Sequence, residues 1–405
     1  MMRLGLLGSD ARIAEVAAAA VRRGDRLVAG FDVPEGSLGG LQVPPLGSWD
    51  RLLDAAVCDA VLVGADGWDD SRAQAVRTLV QAGRPLVLAQ PLELSMLWAY
   101  ELDMIRRDTG SLLVPCLPDR LHPFIMRLQE VIAATLAGVG DLGTVESLHF
   151  ERRLIDRSRT TVLAQLSRDA DLVRALAGDP ARLSTLGGPD PDSAWSTLAV
   201  GLTGPTQLPV RWQVAPAGDP GLTIRLQATQ GSIVIEAPDD ASRPWTWAGV
   251  GADRANFDRG ATVLGMLDAA RGNATEPAAA LPAATWADAA RAIELAETVP
   301  RSLARGRSID LHREEFTEMG TFRGTMASLG CGLIMLALMV IIFATLAAGV
   351  ARDRARRARP VSAAPAPPAA DRGDRKAPRR RPRNMNLFGG GRRSLRLAAA
   401  GPGST

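Results

Sequence analysis

Lysine is nearly missing from this chain of 405 residues: the only one, Lys376, lies in the C-terminal tail. Whatever chemistry the folded part carries out is therefore done without an amine. Histidine is scarce too, with three residues, His122, His149 and His312, as is cysteine, with Cys58, Cys116 and Cys331. The cysteines follow no C-x-x-C or Cys/His spacing, so neither a disulfide framework nor a metal site is expected. Cys58 and Cys116 read as small buried apolar residues. No secretory signal is expected at the N-terminus, because the apolar stretch after Arg3 is short and broken by Ser9, Asp10 and Arg12. What is present is ample apolar material: 46% hydrophobic residues support real cores, and the length leaves room for two globular domains and a tail. The net charge of +3 is unevenly placed. From Arg352 onward there are 15 Lys and Arg against three Asp, so the tail carries +12 and the body −9. An acidic body argues against a nucleic-acid partner.

The first thirty-odd residues organise the rest. The apolar run 3–7 ends at Gly8, the alanine-rich stretch 11–23 carries Ile13, Val16, Ala17 and Ala20 on one helical stripe, and a second apolar run, 27–31, ends in Asp32. Strand, glycine turn, helix and a strand ending in an acid form the βαβ pattern that sets a pyrophosphate on a helix N-terminus and a ribose hydroxyl on a carboxylate. Gly8, Ser9, Asp10, Asp32 and, further on, Pro91 are the candidate cofactor contacts. NAD is favoured over NADP, because the charge of Asp32 opposes a 2′-phosphate. The glycine pattern is incomplete, however. Counted from Gly8, the second and third glycines of G-x-G-x-x-G fall on Asp10 and Ile13. Asp10 stands where an N-cap belongs, so its carboxylate can take the free helix N–H groups and plug the anion site from within. Facing a phosphate instead, it would be repelled by about 4 kcal/mol at roughly 4 Å and an effective dielectric of about 20. Before screening, that is up to about two or three decades of affinity, at about 1.4 kcal/mol per decade.

A glycine- and proline-rich loop leads to Pro45 and a short helix is expected over 49–56. Strands at 60–63, 85–89 and 112–116 then alternate with helices at 71–82 and 94–109, which predicts a doubly wound parallel sheet closing near Pro118. A strand over 143–152, a helix carrying 171–177, and strands at 196–202, 208–214, 222–228 and 232–237 follow. Thr223, Arg225 and Gln227 alternate with apolar neighbours, the mark of a sheet with one wet face. Thr285 and Asp288 open a helix over 289–304, whose last turns Pro300 should kink.

The order of these stretches resembles the Gfo/Idh/MocA family, the glucose–fructose oxidoreductase and inositol dehydrogenase group. The resemblance rests on Asp-Ala-Val-Leu-Val at 59–63, Ala-Gly-Arg-Pro-Leu-Val-Leu at 82–88 before Pro91, Arg-Leu-His-Pro at 120–123, Gly-Asp-Leu-Gly at 140–143, the 171–178 helix and the 289–311 segment. It spans roughly residues 2 to 312. It implies an α/β protein with a Rossmann domain over 1–118 and a C-terminal-type substrate and oligomerisation domain with an open, mostly antiparallel sheet over 119–312. It also implies a nicotinamide cofactor, NAD or NADP, and a sugar or polyol substrate. The departures fall on the chemistry. The family's Glu-Lys-Pro signature aligns with Ala89, Gln90 and Pro91, and a glutamine can supply neither a positive charge nor a proton. The family's H-x-x-D histidine falls on Arg168, three residues before Asp171, and an arginine cannot serve as a general base. His122 and Asp171 are the remaining candidates for handling a proton, and Arg120 with Arg168 could hold an anionic ligand. Two readings stay open: a divergent dehydrogenase, or a pseudoenzyme that senses a ligand or serves as a scaffold.

Beyond a linker at 313–325, 28 residues between Arg323 and Arg352 carry no charge. About 20 apolar residues span a hydrocarbon core, so one transmembrane helix is expected over 326–351, with Cys331 near its entrance a candidate for lipidation. The arginines after the helix would place the tail inside and the body outside, but a body without a signal is hard to translocate. The body is therefore expected to be cytoplasmic in a single-pass protein. The tail, 352–405, is Pro/Ala-, Arg- and Gly/Ser-rich, expected to be disordered, and its 379–383 arginines suit anionic headgroups.

Overall fold

The computed structural model describes residues 1–188, 193–272, 282–311 and 335–352. The linker at 313–325, His312, Cys331, the first part of the expected span and the tail beyond Arg352 lie outside the described residues. The chain divides into two units, 1–315 and 316–405.

In the first unit, β1 (Arg3–Leu7), β2 (Arg26–Phe31), β3 (Ala60–Val63), β4 (Leu86–Leu88) and β5 (Leu113–Pro115) form one parallel sheet in the order β2-β1-β3-β4-β5. Helices α1 (Ala11–Arg23), α2 (Asp70–Gln81) and α3 (Met96–Thr109) connect its strands. Its inner strands are apolar throughout because both faces are covered: every residue of β3, β4 and β5 is buried. The loop after β2 returns Pro45 alongside Gly30 as a single parallel bridge.

The second sheet has nine strands: β6 (Val145–Leu154), β7 (Arg182–Leu186), β8 (Ala199–Thr203), β9 (Val210–Pro216), β10 (Gly221–Ala228), β11 (Gly231–Pro238), β12 (Trp245–Gly249), β13 (Gly251–Ala255) and β14 (Ile309–Asp310). Its order is β13-β12-β11-β10-β6-β9-β8-β7-β14, antiparallel except for the parallel pair β6 and β9. On β10 the alternation holds where Arg225 is exposed beside buried Ile224 and Leu226, but Thr223 is buried under Arg153 and Glu236.

Four further helices, α4 (Pro123–Leu136), α5 (Arg159–Ala177), α6 (Arg259–Ala270) and α7 (Trp286–Arg305), complete the unit. Packing does not divide at residue 118. Helix α6 returns to the first sheet's core and lies so close on α1 that a Cβ at Gly260 would stand 2.3 Å from the Glu15 carbonyl oxygen. Helix α7 serves both cores. Trp286, Ala289, Ala290 and Ile293 enter the first, while Ala292, Leu295, Ala296 and Val299 enter the second. Each set repeats at i, i+3, i+4 and i+7, and the six-residue offset turns the second stripe about 120° from the first. The Thr285–Asp288 capping box starts this helix, and it runs through Pro300 to Arg305.

In the second unit, α8 (Met335–Arg352) is long and apolar enough to cross a membrane by length and composition.

Candidate functional site

In an open parallel sheet, ligands sit outside the C-terminal strand ends where the chain reverses direction, here between β1 and β3. That crevice is closed by the chain's own groups. Gly8 makes the turn with φ +70°, and Asp10 caps α1, with Oδ1 accepting from the N–H of Arg12 at 2.8 Å and of Ile13 at 2.9 Å. The other oxygen, Oδ2, accepts from the Ala65 N–H at 2.8 Å, and the Asp66 N–H donates to the Ser9 carbonyl at 3.0 Å. The β1–α1 and β3–α2 turns are thereby zipped together. Only glycine fits at position 64, where a Cβ would come within 2.3 Å of the Ser9 backbone.

A second plug comes from α2. Arg72, 5% exposed, lays its guanidinium over Gly8, so close that a Cβ there would meet Nη1 at 2.7 Å. It donates to the carbonyl of Asp66 and forms an ion pair with Asp32, the acid expected to hold a ribose. Side chains of this chain thus stand in the pyrophosphate cradle, and the ribose acid, 54% exposed, is engaged on one side by Arg72. A dinucleotide in the usual seat would have to displace Asp10 and Arg72 from these contacts.

The expected proton-handling residues are equally engaged. His122 is fully buried, caps α4 by accepting the Phe124 N–H on Nδ1 at 3.0 Å, and stacks on Trp245 at 3.9 Å between the rings of Phe124 and Phe257. Burial pushes its pKa down to about 4, so it is a neutral structural ring out of a substrate's reach. Asp171 is buried in a bidentate pair with Arg120, which also donates to the Pro282 carbonyl. Burial outweighs that partner and holds the Asp171 carboxyl up at about 6. The expected anion pair of Arg120 with Arg168 does not form, because Asp171 has taken Arg120. Gln90, 1% exposed, donates from Nε2 to the Ala289 carbonyl on α7 at 3.2 Å, and Pro91 follows it through a cis peptide.

Around these lie two further closed pairs. Arg152 binds Asp169 bidentately, and Asp169 also accepts from the Trp212 indole N–H at 2.8 Å. Asp119 accepts from Arg259 at 2.9 Å and lies 3.6 Å from Arg12; although burial opposes it, these two cations hold its carboxyl well below the usual range. Arg168 differs. Its Nε donates to the Gln90 carbonyl at 2.6 Å, and among the described residues it has no carboxylate partner. Burial and the nearby Arg12 lower its pKa to about 10. Among the described residues no cluster of His, Cys, Asp and Glu could hold a metal. Arg72, which sequence reasoning missed, gives no local signal, since its partner lies 40 residues away.

No family model matches this chain, and no curated protein does. Solved structures of the same fold exist. A myo-inositol dehydrogenase from Corynebacterium glutamicum superposes with a TM-score of 0.58 at 16% identity, over 77% of this chain and 99% of its own. An oxidoreductase from Agrobacterium radiobacter, solved with NAD+, L-tartaric acid and magnesium, gives 0.56 at 16% identity, over 76% and 98%. The biliverdin reductase from Synechocystis, solved with biliverdin and NADP+, gives 0.55 at 15%, over 74% and 98%. At these identities the likeness is one of fold: a Rossmann-type parallel sheet joined to a mixed second sheet, the α/β architecture expected from the sequence.

Proposed function

We propose that this chain is a membrane-anchored protein of oxidoreductase fold that senses a ligand or serves as a scaffold, and does not transfer hydride. The observation that carries this reading is the self-filled seat, with Asp10 on the helix N-terminus and Arg72 on Asp32 and Gly8. The replacement of the expected lysine and histidine by Gln90 and Arg168 points the same way. Calorimetric titration of the full-length protein in detergent with NADH and NADPH tests it. No saturable binding at millimolar cofactor is expected, and the double variant Asp10→Gly, Arg72→Ser should gain binding. Tight binding by the unaltered protein, with turnover on a polyol panel, would sink the proposal.

A second reading, an NAD(P)-dependent dehydrogenase acting on a sugar or polyol, is favoured by the neighbours solved with NAD+ and NADP+. It requires Asp10 and Arg72 to leave the seat. Anchoring through α8 is supported by the helix's apolar length, and in this reading the body is cytoplasmic. Deletion of 326–351 should release the protein from membranes. Self-association through the open face of the nine-stranded sheet goes with both readings and is tested by sedimentation.

A further inference from the structure

We infer that Arg168 and Arg12 form a receptor for a small organic monocarboxylate in the crevice at the C-terminal ends of β1, β4 and β5. The inference rests on the ligand-binding reading above and names its ligand class. Arg168 on α5 donates to the Gln90 carbonyl just past β4, and Arg12 in the first turn of α1 reaches Asp119 just past β5, so the two guanidinium groups come to this end of the parallel sheet from the two halves of the fold. Three other arginines at the same junction are matched: Arg120 by Asp171, Arg152 by Asp169 and Arg259 by Asp119. Arg168 is not. It is held by one neutral carbonyl, that of Gln90, and no described carboxylate lies within ion-pair distance.

The acids nearby are already committed. Asp10 spends both oxygens on backbone N–H groups, and Asp119 is held by Arg259 while touching Arg12 only at 3.6 Å. A cation drawn out of water without a counter-ion is costly, and an anion from solution relieves that cost. Neither side chain is sealed off: Arg168 is half-buried and the Arg12 side chain is 17% exposed. The charge balance selects the anion. A phosphate dianion would meet the fields of Asp10 and Asp119, whereas a planar monocarboxylate matches the guanidinium fork with half the repulsion.

The test uses the full-length protein in detergent, titrated with sodium acetate, sodium gluconate, sodium phosphate, NADH and, at matched ionic strength, sodium chloride. Calorimetry and Tm are the readouts. The carboxylates should bind saturably and raise Tm beyond the effect of chloride. Arg168→Gln should weaken carboxylate binding at least tenfold while raising the Tm of the ligand-free protein, because it removes an unmatched charge. A merely structural arginine would lower that Tm. Arg12→Gln should weaken binding by a smaller factor. Carboxylate shifts equal to those of chloride, phosphate bound more tightly than carboxylate, or unchanged binding by both variants would each overturn the receptor. The two readings fail separately. NADH binding removes the self-filled seat and leaves the carboxylate result standing, while loss of carboxylate binding without NADH binding removes the receptor alone.

Discussion

Two places a few residues apart in sequence treat charge in opposite ways. At the β1–α1 turn every charged group has an internal partner: Asp10 has the helix N–H groups and Ala65, and Arg72 has Asp32. Two residues beyond Asp10, Arg12 and, across the junction on α5, Arg168 have no carboxylate closer than 3.6 Å. A helix N-terminus capped by its own aspartate has two of its donors taken and a negative charge where a phosphate would sit, whereas an arginine resting on one carbonyl still has donors to give. The fold's expected binding place is therefore the poorer receptor, and its neighbour the better one.

This contrast can be broken or sharpened by measurement. The largest effect is expected where a matched pair is broken. Asp169→Ala leaves the Trp212 indole without its buried acceptor and Arg152 with only the more exposed Asp239, and should cost about 3 kcal/mol in denaturant unfolding. A much smaller loss would mean that the junction tolerates unmatched charge generally, and Arg168 would no longer stand apart.

Next comes the pH dependence from His122. Its folded pKa of about 4 lies below the usual 6.5, so the unfolded chain binds the extra proton first. Its contribution is fully present above pH 6.5 and is lost as pH falls towards 4, about 3 kcal/mol in total. Asp171, whose raised pKa acts in the opposite sense over much of this window, is common to both proteins when wild type is compared with His122→Asn. The difference between their stability curves should show the His122 slope; parallel curves would mean that the ring is not buried neutral.

The smallest effect is expected at the seat itself. Asp10→Ala removes an N-cap and should cost about 1 kcal/mol. A gain in stability would show that Asp10 is strained in place for function rather than capping.

The parallel sheet was legible because buried strands are short apolar runs between helices with one apolar stripe, and 60–63 falls on β3 to the residue. The Asp10 cap was legible too, from its place in the glycine pattern. The β12–β13 hairpin and α6 were not. The hairpin's β13 is mostly exposed and carries no alternation, and α6 is settled by a close approach to α1 that no local pattern announces. Helix α4 carries a signal that can be read, Pro123 at its first position after His122. At the site, residue identities told which chemistry was missing, but not which charges met. His122 reads as a candidate acid or base until the rings of Trp245 and Phe257, more than a hundred residues later, are seen to enclose it. Arg120 and Arg168 read as a pair until Asp171 claims the first.

The two-striped helix α7 has a bearing on how this molecule comes apart. Since alternate sides of a single rod are embedded in separate apolar interiors, neither interior can melt without dragging on the other. Calorimetry of the globular part should accordingly record one endotherm, and an anion bound at the junction should shift that whole transition rather than a fraction of it.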